Sequence, residues 1–261
     1  MFVNLLKNDL KKNMRWLWIL FLSTLVISGI ARGSRELSEV IGFFNVVRII
    51  VESLAYTLIA NTLIQPFLRS FLNFSKSLYG DESYLTHTLP VKKSQIINSK
   101  FLTALIEVVL AFATVVASFL ILFASPETGL MLEMLLSTIV TGEISIALLL
   151  TLFVVLVVVE FFMFISIIFL SIVIAYRSRE KRVLKAFLIS AAFSFGFLTV
   201  LAIVMIAVLL INKVDIMSST LILSTNALIT LLLTGIIVYS LAVVACWILT
   251  HREFKKGVNV D

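Results

Sequence analysis

Residues 144–176 read ISIALLLTLFVVLVVVEFFMFISIIFLSIVIAY, and Glu160 is the one charged side chain among them. About 20 apolar helical residues, each rising about 1.5 Å, cross the hydrocarbon core of a bilayer. This stretch of 33 residues is therefore more than long enough to span a membrane, and too long for an upright crossing, so it must tilt, kink or protrude. It predicts a helix in lipid.

Five further apolar runs accompany it. The chain is 61% apolar and 14% charged, whereas soluble domains are roughly 45–50% apolar and about 25% charged. A soluble core could not hide so much apolar surface, so the lipid bilayer is the expected solvent. We predict an all-α, polytopic membrane protein with one transmembrane domain over residues 1–261 and six spans at 16–31, 43–68, 101–124, 144–176, 186–211 and 221–250.

The segment before the first span has a two-sided pattern. Phe2, Leu5, Leu6, Leu10 and Met14 recur at helical spacing, with lysines and asparagines on the opposite side. Such a pattern is typical of an amphipathic helix at a membrane surface. We therefore expect an interfacial helix over residues 1–15.

Lys and Arg are unevenly distributed between alternate loops. One side of the predicted topology carries 17 of them and the other side carries 3. Because cytoplasmic loops are enriched in these residues, both termini are expected in the cytoplasm. The net charge is +6, but the basic residues lie in short loops rather than on one soluble face, so nucleic acid is not an expected partner.

The longest predicted cytoplasmic loop covers residues 69–100. Gly80 is suited to end a helix, Asp81 to cap a short following helix, and Pro90 to begin the helix that enters the third span. The loop thus reads as helix, short helix, helix. It is either a solvated turn or a docking surface for a cytoplasmic partner.

The run GDESYLTHTLPV at residues 80–91, between spans two and three of a six-span chain with a basic amphipathic N-terminus, resembles the permease subunits of bacterial ABC-2 type transporters. The local match covers about a dozen residues, and the topology covers nearly the whole chain. The resemblance implies a multi-pass protein of the bacterial plasma membrane. Its expected partners are cytoplasmic ATP-binding cassette subunits and a second permease, either another copy or a homologue.

In that family the loop after span two carries a coupling helix that sits in a cleft of the ATPase. The resemblance assigns this role to Gly80, Asp81, Glu82, Tyr84, Leu85, Thr86, Thr88, Leu89 and Pro90. It also places the interfacial helix near the ATPase. Polysaccharide exporters of this class have a longer outer segment before the last span, whereas only residues 212–220 join spans five and six here. A peptide, antimicrobial, drug or lipid is therefore the expected exported substrate.

The energy source is expected outside this chain. No glycine begins a G-x-x-x-x-G-K-[ST] phosphate loop, so ATP and Mg would be held by the partner subunit. We predict that the chain is not itself an enzyme, with no catalytic residues, no metal ligands and no cofactor of its own.

Ionisable residues within the spans are further candidates, since burying a charge in the bilayer costs roughly 2.5–3.5 kcal/mol or more. Arg48 and Glu52 are four residues apart and could form an ion pair near the outer end of span two. Glu160 has no basic neighbour in its own helix. It could face another subunit or an aqueous path, or it could be protonated in the bilayer. Glu107, two turns into span three, is expected to reach cytoplasmic water.

Two other classes of function compete with the permease. An ion-coupled secondary transporter would use Glu160 and Glu52 as proton carriers, but the sequence shows no repeat and has few acidic residues. An intramembrane enzyme is disfavoured because His87 and His251 both lie near the predicted cytoplasmic edges and no His-Glu-x-x-His motif is present.

Overall fold

The computed structural model describes residues 2–80, 83, 88, 91–123, 134, 140–141, 146–177, 181–212 and 223–256. Within them lie six long helices and one pair of two-residue strands. In chain order these are α1 (Phe2–Val40), α2 (Phe44–Tyr79), α3 (Lys93–Phe123), β1 (Val140–Thr141), α4 (Ile146–Ala175), α5 (Arg182–Ile211), β2 (Leu223–Ser224) and α6 (Thr225–Lys255).

All six helices are long and apolar enough to cross a membrane. The all-α character and the six predicted spans are therefore confirmed, and the protein is a polytopic membrane protein. Each helix overlaps one predicted span, although most of them extend beyond the predicted bounds. In α1, α2 and α3 the segments beyond the predicted bounds carry polar side chains that are hydrogen-bonded to neighbouring helices.

The first helix shows this most clearly. The predicted interfacial segment and the first span form one unbroken helix of 39 residues. At about 1.5 Å per residue it is about 58 Å long, well beyond the roughly 30 Å of the hydrocarbon core. The structure does not set an interfacial helix apart from the span.

A proline inside a helix favours its end or a kink at that point. Pro66 lies buried inside α2, and the helix continues for 13 more residues to Tyr79. Beyond Pro66 the buried positions Ser70, Phe74, Ser77 and Leu78 recur at helical spacing, so this extension has a packed face of its own. The helix ends at Gly80, as the sequence predicts.

The chain forms two compact units. The first contains α1, α2 up to Leu78, and α3. Among the described residues its apolar core includes two clusters, and Ala31, Ala55 and Ala111 are small buried members of them. Between α1 and α2, the Thr24 and Thr62 hydroxyls are hydrogen-bonded at 2.9 Å.

The second unit contains α4, α5, α6 and the strand pair. Met163, Ile167 and Tyr239 form its buried centre. Gly235 marks a close approach, since a Cβ at this position would lie 2.6 Å from Cδ1 of Leu156. The strands β1 and β2 are parallel, and Ser224 then caps α6 by accepting a hydrogen bond of 3.2 Å from the backbone N–H of Ala227.

Many serine and threonine hydroxyls in the helices donate to a carbonyl three or four residues earlier in the same helix. Thr57, Thr114, Ser166, Ser171 and Thr250 are examples, with distances of 2.7–2.9 Å. This local pairing satisfies a polar group without a partner on another helix.

Candidate functional site

The first unit holds a network of polar side chains where the start of α1, the end of α2 and the start of α3 meet. We call this network the polar clamp. Its members come from all three helices: Asp9, Asn13, Ser70, Asn73, Ser99, Lys100 and Glu107. Buried polar groups are normally hydrogen-bonded, and this network shows how these polar residues are accommodated between apolar helices.

Glu107 is the centre of the clamp. Its side chain has no solvent-exposed surface. Its Oε1 accepts a hydrogen bond of 2.6 Å from Nδ2 of Asn13, and its Oε2 accepts a longer one of 3.5 Å from the Ser70 hydroxyl. The expectation that Glu107 reaches cytoplasmic water is therefore wrong, because α1 and α2 cover it.

Asn13 connects the three helices. While it donates to Glu107 of α3, its own Oδ1 accepts from Nδ2 of Asn73 in α2. Arg69, one residue before Ser70, is close enough to Glu107 for electrostatic attraction. A buried carboxylate therefore has two hydrogen-bond donors and a nearby cation, which together offset part of its desolvation.

An ion pair extends the clamp toward the start of α1. Asp9 Oδ1 lies 2.6 Å from Nζ of Lys100, and Asp9 Oδ2 accepts 2.8 Å from the Ser99 hydroxyl. Both charged side chains are less than one-fifth exposed. The N-terminal segment of α1 is thereby attached to the first turns of α3.

The residues of the polar clamp lie on both sides of the predicted coupling loop in the chain. Ser70 and Asn73 lie in the last three turns of α2, and Ser99 and Lys100 lie in the first two turns of α3. The segment that joins these two helices is the predicted coupling loop. Both helices that flank that loop are therefore attached to each other and to α1 by buried hydrogen bonds.

The predicted coupling residues lie mostly outside the described part of the chain. Gly80 forms a bend after α2 and Thr88 is helical. The other members of the set lie outside the described residues, namely Asp81, Glu82, Tyr84, Leu85, Thr86, Leu89 and Pro90.

A second polar group in the first unit contains Arg48 and Glu52. Nε of Arg48 lies 3.2 Å from Oε1 of Glu52, as the four-residue spacing predicts. Sequence reasoning missed Arg35 of α1, whose Nε lies 2.9 Å from the same oxygen. Arg35 also donates to the carbonyl of Leu122 at 3.3 Å, so this ionic cluster joins α1, α2 and α3 at the end opposite to the clamp.

Glu160 lies in the second unit, half-buried in α4. Its carboxyl lies close enough to the hydroxyl of Tyr239 on α6 for electrostatic interaction, and Tyr239 is itself buried. Sequence reasoning noted the absence of a basic neighbour for Glu160 but could not identify this partner. The contact places a carboxyl and a phenol together within the apolar part of two spans.

The polar clamp could have been suspected from amides within helical, partly apolar segments. Asn13 and Asn73 are polar residues that a span tolerates when they pair with another helix. The same reasoning fails for Asn61, whose amide donates to the carbonyl of Thr57 in its own helix at 3.0 Å.

Among the described residues, no group of three or more His, Cys, Asp or Glu side chains is arranged to hold a metal ion. Comparisons with protein-family models, curated proteins and solved structures gave no match to this chain. The class that the fold defines is therefore the multi-pass membrane protein, and any narrower function rests on the residues themselves.

Proposed function

We propose that this protein is the membrane-spanning permease subunit of an ATP-driven ABC transporter of the ABC-2 type. Two copies, or this chain and a homologue, would pair with two cytoplasmic ATP-binding subunits. The exported substrate would be hydrophobic or amphipathic, such as a peptide, an antimicrobial, a drug or a lipid.

The polar clamp is the observation that supports this proposal best. In a permease driven by a separate ATPase, a displacement of the cytoplasmic loop must be transmitted to the membrane-spanning helices. Here the residues on both sides of the 80–91 loop are hydrogen-bonded to each other through Asn13 and Glu107. A displacement of the loop would therefore move the attached ends of α1, α2 and α3 together, rather than being lost in a flexible linker.

The N-terminal segment has a defined part in this mechanism. Asp9 binds Lys100 and Ser99, and Lys7, Lys11 and Lys12 lie on the same segment. We propose that this part of α1 lies at the cytoplasmic membrane surface, where the lysines face anionic headgroups and the ATPase. The segment would then move with α3 when the loop is displaced.

ATP would act from outside this chain. The sequence lacks the phosphate loop that binds nucleotide, so hydrolysis belongs to the proposed partner. Within this chain, the helices and their polar contacts would transmit a conformational change to the substrate path.

Purification of the chain from its native membrane in mild detergent tests the proposal. An ATP-binding subunit should co-purify with it, and Leu85→Asp in the loop should abolish both the association and ATP-driven transport. The matched control is Leu135→Asp, the same change in the predicted outer loop, which should retain the ATPase. Retained association and transport in the Leu85→Asp protein would overturn the assignment of the coupling loop.

An ion-coupled secondary transporter is the alternative, and the contact between Glu160 and Tyr239 favours it. A carboxyl with a hydroxyl partner inside the membrane is the kind of group that proton relays use. Glu52 is less suited to such a role, because it is held by two arginines. Transport by the isolated chain in liposomes under a pH gradient, lost in Glu160→Gln, would support this alternative over the permease.

A further inference from the structure

The second unit has an apolar groove on its surface. Its volume is about 600 Å³, and α4, α5 and α6 all contribute to it. Residues that line it include Ile167 of α4, Phe193, Gly196 and Val200 of α5, and Ala242 and Cys246 of α6. The groove is therefore a hydrophobic cleft along helices that cross the bilayer.

The α5 side of the groove is open. Phe193 is 43% exposed and Val200 is 55% exposed. A Cβ built on Gly196 would meet no atom within 4 Å. From Ile189 to Val200 the lining covers 12 residues, or about 17 Å of helix axis, which suits an extended chain rather than a compact ligand.

Two cations continue the same face of α5. Arg182, Lys185, Ile189, Phe193, Gly196 and Val200 are separated by three or four residues, which places them along one side of the helix. The stripe thus changes from charged to apolar at the N-terminal end of α5. Lys185 lies at the edge of the predicted fifth span, on the side where the charge bias places the cytoplasm.

The position of Arg182 is defined by an aromatic contact. Its guanidinium carbon lies 5.8 Å from the centre of the Tyr176 ring, at the end of α4. Arg182, Lys181 and Tyr176 also line a second cleft that opens beside the start of α5. The end of the stripe is therefore a cationic and aromatic surface at the predicted cytoplasmic edge of the fifth span.

We propose that the groove holds one acyl chain of an anionic phospholipid, whose phosphate is bound by Arg182 and Lys185. An apolar cleft that leads from a pair of cations is complementary to an amphiphile with an anionic head and a hydrocarbon tail. Basic sites between spans on the cytoplasmic side recognise anionic headgroups for this reason. The inference does not depend on the permease function, since the lipid would bind in any transport cycle or in none.

Photo-crosslinking of the full chain in phosphatidylcholine liposomes tests this. The probes are phosphatidylglycerol and phosphatidylcholine, each at trace level, with a diazirine on one acyl chain, and crosslinked peptides are mapped by mass spectrometry. Phosphatidylglycerol should label the groove residues of α5 and α6 preferentially. Because one cation near a membrane surface changes anionic lipid binding about fivefold, Arg182→Gln and Lys185→Gln should each reduce that preference about fivefold.

A groove-filling variant separates specific binding from general contact with lipid. Gly196→Trp should abolish phosphatidylglycerol labelling in the groove, whereas Gly29→Trp, on an equally open helical glycine of α1, should leave it unchanged. Gly196→Leu serves as a smaller replacement if the tryptophan prevents folding. Equal labelling by the two lipids, or labelling that survives both Gly196 variants, would overturn the proposal.

The lone cysteine tests for a different occupant. If a second copy of the chain covered the groove with its own groove across a two-fold axis, oxidation in membranes would join Cys246 of the two copies by a disulfide, and Gly196→Trp would prevent it. That result would assign the groove to a dimer interface and overturn the lipid site. Absence of the disulfide together with preferential phosphatidylglycerol labelling would support the lipid.

Discussion

Replacing Glu107 with alanine removes the acceptor at the centre of the polar clamp. Asn13 Nδ2 then loses a bond of 2.6 Å and Ser70 loses a long one of 3.5 Å. Leaving one buried donor unsatisfied costs about 1–3 kcal/mol, and the weaker Ser70 contact adds little. We therefore expect Glu107→Ala to lower the free energy of unfolding by about 1–3 kcal/mol.

The assay is equilibrium unfolding of the purified full chain in mixed micelles, with SDS as denaturant and circular dichroism as readout. Glu36→Ala is the matched control, because Glu36 is largely exposed and pairs only across the helix surface with Arg32. It should change stability by no more than about 0.5 kcal/mol.

A double-mutant cycle separates this bond from other effects of truncation. Asn13→Ala, Glu107→Ala and their combination should give a coupling energy of about 1–2 kcal/mol, near the upper end for bonds between membrane helices. A coupling energy below about 0.5 kcal/mol, or a Glu107→Ala protein as stable as Glu36→Ala, would refute the clamp as a structural connection.

Two further substitutions test other contacts by the same assay. Gly235→Ala should destabilise the protein by about 1–3 kcal/mol, since its Cβ would lie 2.6 Å from Leu156 Cδ1. Gly33→Ala, where a Cβ meets no atom within 4 Å, should be neutral or stabilise the protein by up to about 1 kcal/mol. Equal effects at the two positions would contradict the close approach at Gly235. Glu52→Ala should cost about 2 kcal/mol because two arginines lose their partner, against about 0.5–1 kcal/mol for the more exposed Arg48→Ala, and a reversed order would argue against the ionic cluster.

The six helices could be predicted from the sequence because the apolar runs are long and lipid requires each span to satisfy its own backbone. Most of their ends could not, although Gly80 correctly marks the end of α2. The extension of α2 past Pro66 depends on a packed face formed by Ser70, Phe74 and Leu78, and the continuity of α1 through residue 15 depends on Asp9 and Asn13 finding partners on other helices. Hydropathy carries no information on such partners.

The contacts of the candidate site also include some that the sequence predicts and others that it does not. The pair of Arg48 and Glu52 was predictable because helical spacing alone brings the two residues together. Arg35, Asn13 and Tyr239 come from other helices, and their contacts with Glu52, Glu107 and Glu160 depend on tertiary packing. The predicted environment of Glu107 was wrong for that reason, since depth in one helix does not show what covers it.

The hydroxyl groups that bond within their own helices have a mechanical consequence. The hydroxyls of Thr57, Thr114 and Ser171 and the carbonyls that accept from them belong to the same helix, so donor and acceptor move together. A helix that slides or rotates by a small amount against its neighbour therefore breaks none of these bonds. Shear between packed helices then meets mainly apolar contacts, which re-form at little cost. Resistance to such shear is concentrated where side chains bond across helices, as at Asn13. Replacing a polar residue at such a position would therefore change the stiffness of the first unit more than replacing an apolar residue of its core.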